Sequence, residues 1–334
     1  MSNKNLLSGR DKELQELAEQ YEAAMAGNKP FYQDADELAD LADWYGTKKR
    51  YDKAFEIAEY GLKLHPDSTE LMIEYAYLHL DNGKKAKARE IIENLPDTYS
   101  PEAKVVRAHL LLSEGKLDDA EQLLDTIEDK DDLANVVDVS YMYLDMGYPD
   151  KALAWLDPVK EEYSNEEAYI AVVADCLYGK GMTEEAIPLY NRLIDMNPYS
   201  APYWFGLARC HFEEMNFNQA IDACDYALVS DDEFADAYVM KGHCFYQLGN
   251  EDAALEYYQK AEELHGLAPE FIYTYIGLCK VSKGEWKEGY ENLEKAILEN
   301  ETDEVASPIL PSLYANAGLC LSKMGKKQIG RAHV

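Results

Sequence analysis

The sequence predicts an all-α solenoid of stacked antiparallel helix pairs, and three periodic features carry that prediction. Small residues recur in one slot at Ala54, Ala88, Ala120, Ala152, Ala186, Ala220, Ala254 and Gly289, with gaps of 34, 32, 32, 34, 34, 34 and 35 residues. A second small slot lies twelve residues earlier, at Ala42, Ala76, Ala108, Ser140, Ala174, Ala208, Gly242 and Gly277, and returns at Gly318. Between the two slots stands a glycine: Gly83, Gly115, Gly147, Gly181, Gly249 and Gly284, then Gly325 after the last small residue. A period of that size marks a supersecondary unit that buries its apolar face only against its neighbours.

Residues 234–266 set the pattern for each unit. The stretch 237–247 reads as a first helix, ended by Leu248-Gly249-Asn250. Ala253, Ala254, Leu255, Tyr258, Ala261 and Leu264 then recur at helical spacing and form one stripe. The turn between the two needs positive φ, which glycine adopts without strain. Two units put Lys49 and Met215 there instead. The small slots let paired helices approach closely, and Trp204, Leu207, Tyr238, Phe245 and Tyr258 fill the space around them. The count is eight full units plus the first helix of a ninth over 312–324. Ahead of the array, residues 10–26 read as an amphipathic helix with Leu14, Leu17, Ala18, Tyr21 and Met25 on one stripe. It stops at Asn28-Lys29-Pro30 and is expected to cap the first repeat.

On these residues the chain resembles the tetratricopeptide repeat family, over roughly residues 34–325 of an array placed at 34–327. The best unit runs Tyr238, Gly242, Phe245, Gly249, Ala254, Tyr258, Ala261. There are departures. The family's late small slot holds Leu95, Ile127, Val159 and Leu193 in four units, and its closing proline occurs only as Pro66 and Pro198. The resemblance implies a right-handed superhelix whose first helices line the concave face. One residue after the small slot, the inward position reads Tyr77, His109, Tyr141, Asp175, Arg209, His243 and Leu278. Four residues earlier stand Ile73, Val105, Val137, Ala171, Phe205, Val239 and Thr274. Three residues later stand Leu80, Leu112, Leu144, Tyr178, Phe212, Tyr246 and Val281. Such residues share a helix face. The expected groove is an apolar and aromatic strip, richest at Tyr178, Phe205, Arg209, Phe212, His243 and Tyr246. Its edges are acidic, with Asp36, Glu70, Glu102 and Asp236 on one side and Asp81, Asp145 and Glu213 on the other. The Leu and Val rows can equally pack first helix on first helix. The Lys/Asn pair with which some family members clamp a carboxylate is lacking, and Tyr and His occupy the slot of the inward asparagine ladder.

Composition narrows the function. The formal net charge is −32, from 64 acidic and 32 basic side chains. That argues against nucleic acid, whose phosphates need a basic footprint, and against anionic membranes. No apolar run is long enough to span a bilayer and no signal-peptide core stands at the N-terminus, so a cytoplasmic address is expected. Cys176, Cys210, Cys244, Cys279 and Cys320 share one slot of the first helix, which earlier units fill with Trp44, Leu78, Leu110 and Met142. They read as packing residues, and no C-x-x-C pair points to zinc. Asp129-Lys130-Asp131-Asp132 resembles a calcium loop only in acidity: Ala134 stands at its glycine position and Ser140 at its closing glutamate. No hydrolase, nucleotide-loop or zinc-protease motif is found, so neither catalysis nor a cofactor is expected.

The last seven residues, 328–334, read like a translated sequencing adapter and are set apart as a non-native tail. The expectation is an N-terminal fragment of a longer protein, with Ala317, Leu319, Cys320 and Leu321 left open for self-association. The function expected is a non-catalytic scaffold or adaptor that binds a peptide or protein segment, apolar on one side and carrying basic residues. Two alternatives stand beside it: an acidic chaperone shielding a client, and the sensor arm of a larger signalling enzyme.

Overall fold

The computed structural model describes residues 8–27, 29–264, 266–301 and 308–325; the predicted tail at 328–334 lies outside them. The described residues are all helical apart from turns and loops. Helix α1 (Ser8–Ala26) precedes a run of pairs. These are α2/α3 (Ala35–Thr47, Tyr51–Leu64), α4/α5 (Thr69–Asp81, Lys85–Glu93), α6/α7 (Pro101–Ser113, Leu117–Leu124) and α8/α9 (Leu133–Asp145, Pro149–Leu156). A short α10 (Lys160–Tyr163) follows. Then come α11/α12 (Glu167–Gly179, Thr183–Met196), α13/α14 (Ala201–Glu213, Phe217–Ser230), α15/α16 (Ala235–Gln247, Glu251–Glu263), α17/α18 (Pro269–Ser282, Trp286–Glu301) and α19 (Leu310–Lys323). The chain forms two compact units, Met1–Tyr203 and Trp204–Val334, divided inside α13.

The periodic small residues are where the helices meet. Every alanine of the first slot is fully buried. In the second slot Ser140 uses its hydroxyl, donating to the carbonyl of the first-slot Ala152 across its pair at 3.2 Å. Where the slot is glycine, the neighbour occupies the space a methyl would need: a Cβ on Gly277 would stand 2.9 Å from Leu293 Cγ. Gly318 departs from the expectation. It is exposed and faces open space, because no second helix stands over it among the described residues. The expected open face on α19 is also corrected. Ala317, Cys320 and Leu321 are buried, Ala317 and Cys320 in the cluster built on Leu293, Ala296 and Ile297 of α18. Only Leu319 stays out. A first helix packs on the preceding pair with a different face from the one its own partner would cover.

Every turn glycine has φ between +69° and +77°, and the two exceptions adopt the same conformation, Lys49 at 58° and Met215 at 59°. Left-handed backbone strains a side chain bearing a Cβ. Met215 is 75% exposed, so its thioether contributes little packing in return. Met215→Gly is therefore expected to raise stability by about 1 kcal/mol. Thermal melting of the two proteins checks this, and an unchanged or lower midpoint would show that the side chain holds the turn.

The family's late small slot tolerates large residues here for a visible reason. Helices α5, α7 and α9 are only 9, 8 and 8 residues long, against 14 for α3, α12 and α14. Leu95, Ile127 and Val159 lie past their ends and fold in as buried plugs, while Leu193 stays helical. The acidic run at 129–132 serves as a helix start: the Asp132 carboxylate accepts from the Ala134 and Asn135 amides at 3.0 and 3.2 Å. At the other end of the first unit, α1 buries Leu14, Ala18 and Tyr21 against α2 and α3, with Leu17 and Met25 beside them.

Candidate functional site

In the first unit the α2, α4, α6 and α8 first helices enclose a cavity of about 470 Å³. Its floor is partly apolar, from Ile73, Tyr77, Val105 and Met142. Eight carboxylates line the rest, with no lysine or arginine among the described lining residues. Four of these, Asp36, Glu70, Glu102 and Asp145, are edge residues legible in the sequence. Three more, Asp40, Glu74 and Asp138, occupy one slot of successive first helices, two residues before the small one. The eighth, Asp97, orders the entry to α6 by accepting from the Tyr99 amide at 2.8 Å. Beside it Ser100 caps that helix, accepting from Ala103 N at 3.3 Å, and Pro101 supplies its first residue.

The slot carrying Asp40, Glu74 and Asp138 escaped the sequence reading because later units fill it with Val106, Val172, Gly206, Met240 and Tyr275. A carboxylate recurring at a position that is otherwise mostly apolar was the available signal. Asp40 and Glu74 are buried and Asp138 half-buried.

The field inside the cavity is negative. Burial raises the Tyr77 hydroxyl well above its usual range, and the charges of Asp138, Glu74, Asp145 and Asp81 add to it. Asp81 and Asp145 keep exposed surface, yet the protein around them takes away part of their hydration and raises both carboxyls. His109 is 8% exposed. Its Nδ1 has no hydrogen-bond partner and its ring lies 5.7 Å from that of Tyr77. Burial pushes the imidazole down to about 4, so it is neutral at pH 7.

Tyr141 and Asp175, the next two inward residues, meet in a network. The Tyr190 hydroxyl donates to Asp175 Oδ1 at 2.7 Å and the Tyr141 hydroxyl to Oδ2 at 3.3 Å. Asp175 therefore organises α8, α11 and α12. Tyr178 is half-buried near the end of α11.

In the second unit the expected aromatic run is built into helix packing. Phe205, Phe212 and Tyr246 are half-buried. Phe205 packs edge-on to Phe234 at 5.3 Å, and the Arg209 guanidinium lies 5.5 Å from the Phe205 ring centre. Phe212 meets Phe217 and His243. His243 Nδ1 lies 2.8 Å from the Tyr258 hydroxyl, and its ring is 4.5 Å from Tyr275. Burial lowers this imidazole to about 4 as well. Tyr246 packs beside Tyr258 and Cys279.

All six cysteines are buried thiols. Burial pushes Cys176, Cys244 and Cys279 up to about 12, far from the thiolate form that reacts or binds metal. Among the described residues no group of three or more His, Cys, Asp or Glu is placed to hold a metal ion. None of their helices is long and apolar enough to cross a membrane.

Comparison with known proteins gives two family models. Residues 47–100 match a tetratricopeptide repeat model, and residues 179–261 match the model described as anaphase-promoting complex, cyclosome, subunit 3. A curated relative, the TPR repeat-containing protein YpiA of Bacillus subtilis, is 28% identical over 142 residues, 40% of this chain and 33% of that protein. The match thus spans about a third of the relative's length. Among solved structures, a tetratricopeptide repeat protein from Parabacteroides merdae is similar in fold, with a TM-score of 0.51 and 18% identity over 73% of this chain and 98% of that one. A thermophilic TPR protein from Thermus thermophilus gives 0.46 and 17% over 57% of this chain and 100% of that one.

Proposed function

This chain belongs to the tetratricopeptide repeat family, and on that premise we propose that it is a non-catalytic scaffold binding a segment of a partner protein on the face of its first helices. The cavity on α2, α4, α6 and α8 carries the reading. It joins an apolar floor to walls of carboxylates, with no lysine or arginine among its described lining residues, a surface that suits a segment apolar on one side and basic on the other. The anchor of the site is Tyr77, His109 and the carboxylates around them. The rings of Phe205, Phe212 and Tyr246 are half-buried, and in this reading their first role is to hold helices together. The reading places the protein in the cytoplasm.

Fluorescence anisotropy with peptides of equal length and graded net charge tests the proposal. Affinity should rise with positive charge when apolar content is fixed, and fall as salt is raised through the range where the Debye length shrinks below ~10 Å. Tyr77→Ala should weaken binding by about 2 kcal/mol. A chain indifferent to peptide charge, or one that binds no peptide while suppressing aggregation of unrelated proteins, would replace the scaffold with the chaperone reading.

A further inference from the structure

The chain carries a formal charge of −32, yet its 32 basic side chains are not spread evenly. Lys48, Lys49, Arg50 and Lys53 fall within six residues that hold one acid, Asp52. Lys84, Lys85, Lys87 and Arg89 fall within six that hold none. The first group makes the α2/α3 turn and opens α3; the second ends the α4/α5 turn and opens α5. Both turns join a first helix to its partner, and contacts set them side by side on one edge of the first unit. The Lys84 ammonium reaches back over the ring of Phe55 in α3, 5.6 Å from its centre, and His79 near the end of α4 lies 5.0 Å from the same ring. On the far side Lys85 donates to the Ser113 carbonyl and Arg89 pairs with Glu114, where α6 ends.

The field on this edge is positive. Lys84, Lys85, Lys87 and Arg89 are exposed. A ring face holds a cation in place without supplying a counter-charge. Lys84 is held that way and forms no ion pair among the described residues. The Lys53–Glu56 and Lys87–Glu90 pairs face water three residues apart on one helix, and such pairs are weak enough to exchange for another carboxylate. Two titrating groups sense the cations. Glu114 is held below the usual carboxylate range by its hydrogen bond from Lys116 and by the charges of Arg89, Lys116 and Lys85. The His79 imidazole is lowered first by burial and then by Lys84 and Lys87, with Glu59 opposing.

At physiological ionic strength the Debye length is ~8 Å. A short ligand on this edge therefore responds to these cations, while the acids elsewhere on the chain are screened. A long polyanion or an anionic bilayer would extend past the edge onto acidic surface. Neighbouring packed helices lie ~8–10 Å apart and an extended chain rises ~3.3 Å per residue, so about six to eight residues of a ligand span the two turns.

We propose that this edge is a second interaction surface, and that it takes a short acidic segment of a partner protein. The carboxylates of the segment lie along Lys84, Lys85 and Lys87 and continue to the α2/α3 turn. The surface is separate from the cavity, whose walls carry the opposite charge. With both occupied, the first repeats join a basic partner to an acidic one.

The experiment uses the full chain and four probes: an eight-residue polyglutamate peptide, a polyglutamine peptide of equal length, a single-stranded oligonucleotide and vesicles containing phosphatidylserine. Polyglutamate should bind at least about tenfold more tightly than polyglutamine, and more weakly as salt is raised. Lys84→Gln with Lys85→Gln and Lys87→Gln should remove that preference, with the helical circular dichroism and the affinity for a basic peptide unchanged. In the polyglutamate complex the His79 titration, followed by NMR, should move up, because the bound carboxylates offset Lys84 and Lys87. Equal binding of the two peptides, a triple variant that still prefers polyglutamate, or a His79 titration that does not move overturns the proposal. The oligonucleotide or the vesicles binding as tightly as polyglutamate makes the edge a general polyanion surface and overturns the acidic-segment assignment. None of these results bears on the cavity, which the basic peptides test.

Discussion

Replacing Asp175 by alanine is expected to cost about 3 kcal/mol of stability. Its carboxylate accepts from Tyr190 and Tyr141, which are 2% and 8% exposed and hold their hydroxyls at 2.7 and 3.3 Å from its two oxygens. Removing the acceptor leaves two buried hydroxyls on different helices without it, and hydrogen bonds to a charged group are the costly kind to lose. Asp175→Asn keeps one carbonyl oxygen and should cost about half as much. Tyr190→Phe, which removes one donor and keeps the Tyr141 bond, should cost about 1–2 kcal/mol. Urea unfolding of the full chain measures all three. A loss below about 1 kcal/mol for Asp175→Ala would mean that water satisfies the tyrosines and that Asp175 does not hold the three helices together.

A second large effect should change sign with its background. Gly242 lies under the ring of Tyr258, where an added Cβ would stand 2.5 Å from Cε1 and 2.7 Å from Cδ1. That ring is 1% exposed, stacked on Tyr275 at 5.1 Å and tied to His243, so it has little freedom to retreat. Gly242→Ala should cost about 2 kcal/mol by overpacking, although alanine is the better helix former. Tyr258→Ala should cost about 4 kcal/mol through lost burial and the cavity it leaves. In that second background the methyl has room, and Gly242→Ala should instead stabilise by about 1 kcal/mol. The double-mutant cycle then reports a coupling of about 3 kcal/mol. Additive effects would show that the ring moves aside, and that glycine in this slot reflects something other than contact with its paired helix.

The periodic part of the structure was legible because each slot is tested many times along the chain. A position that is alanine in seven units reports close approach, and a turn that is glycine in all but two predicts that Lys49 and Met215 carry the same positive φ, as they do. The cysteines fell into a packing slot for the same reason. The candidate site was legible at its edges and in the inward residues Ile73, Tyr77, Val105 and His109, which line it. Asp36, Glu70, Glu102 and Asp145 were visible as an acidic rim, whereas Asp40, Glu74 and Asp138 sit where the repeat is otherwise mostly apolar, and averaging over units hides them. Asp43, buried in the inward slot of the first pair, was passed over because that slot was read from Tyr77 onward. Periodicity assigns Phe205, Phe212 and His243 to the inward row, but what their rings touch depends on neighbours no periodicity reveals. Phe234 comes from the residue before α15 and Phe217 from the start of α14.

The nearest-neighbour packing of the helices also bears on how the chain is made. Within the first unit the principal contacts join each helix to the next or next-but-one, as in α2 with α3 and α4, α4 with α5 and α6, and α6 with α7 and α8. Nothing in that pattern waits for a distant strand or a returning terminus, and topologies of such low contact order fold quickly. Translation delivers ~5–20 residues per second, slow enough for each pair to settle on the ribosome as soon as the following first helix has cleared the exit. The acidic cavity would then be built from its α2 edge toward α8, with Asp40 in place before Asp138 is synthesised.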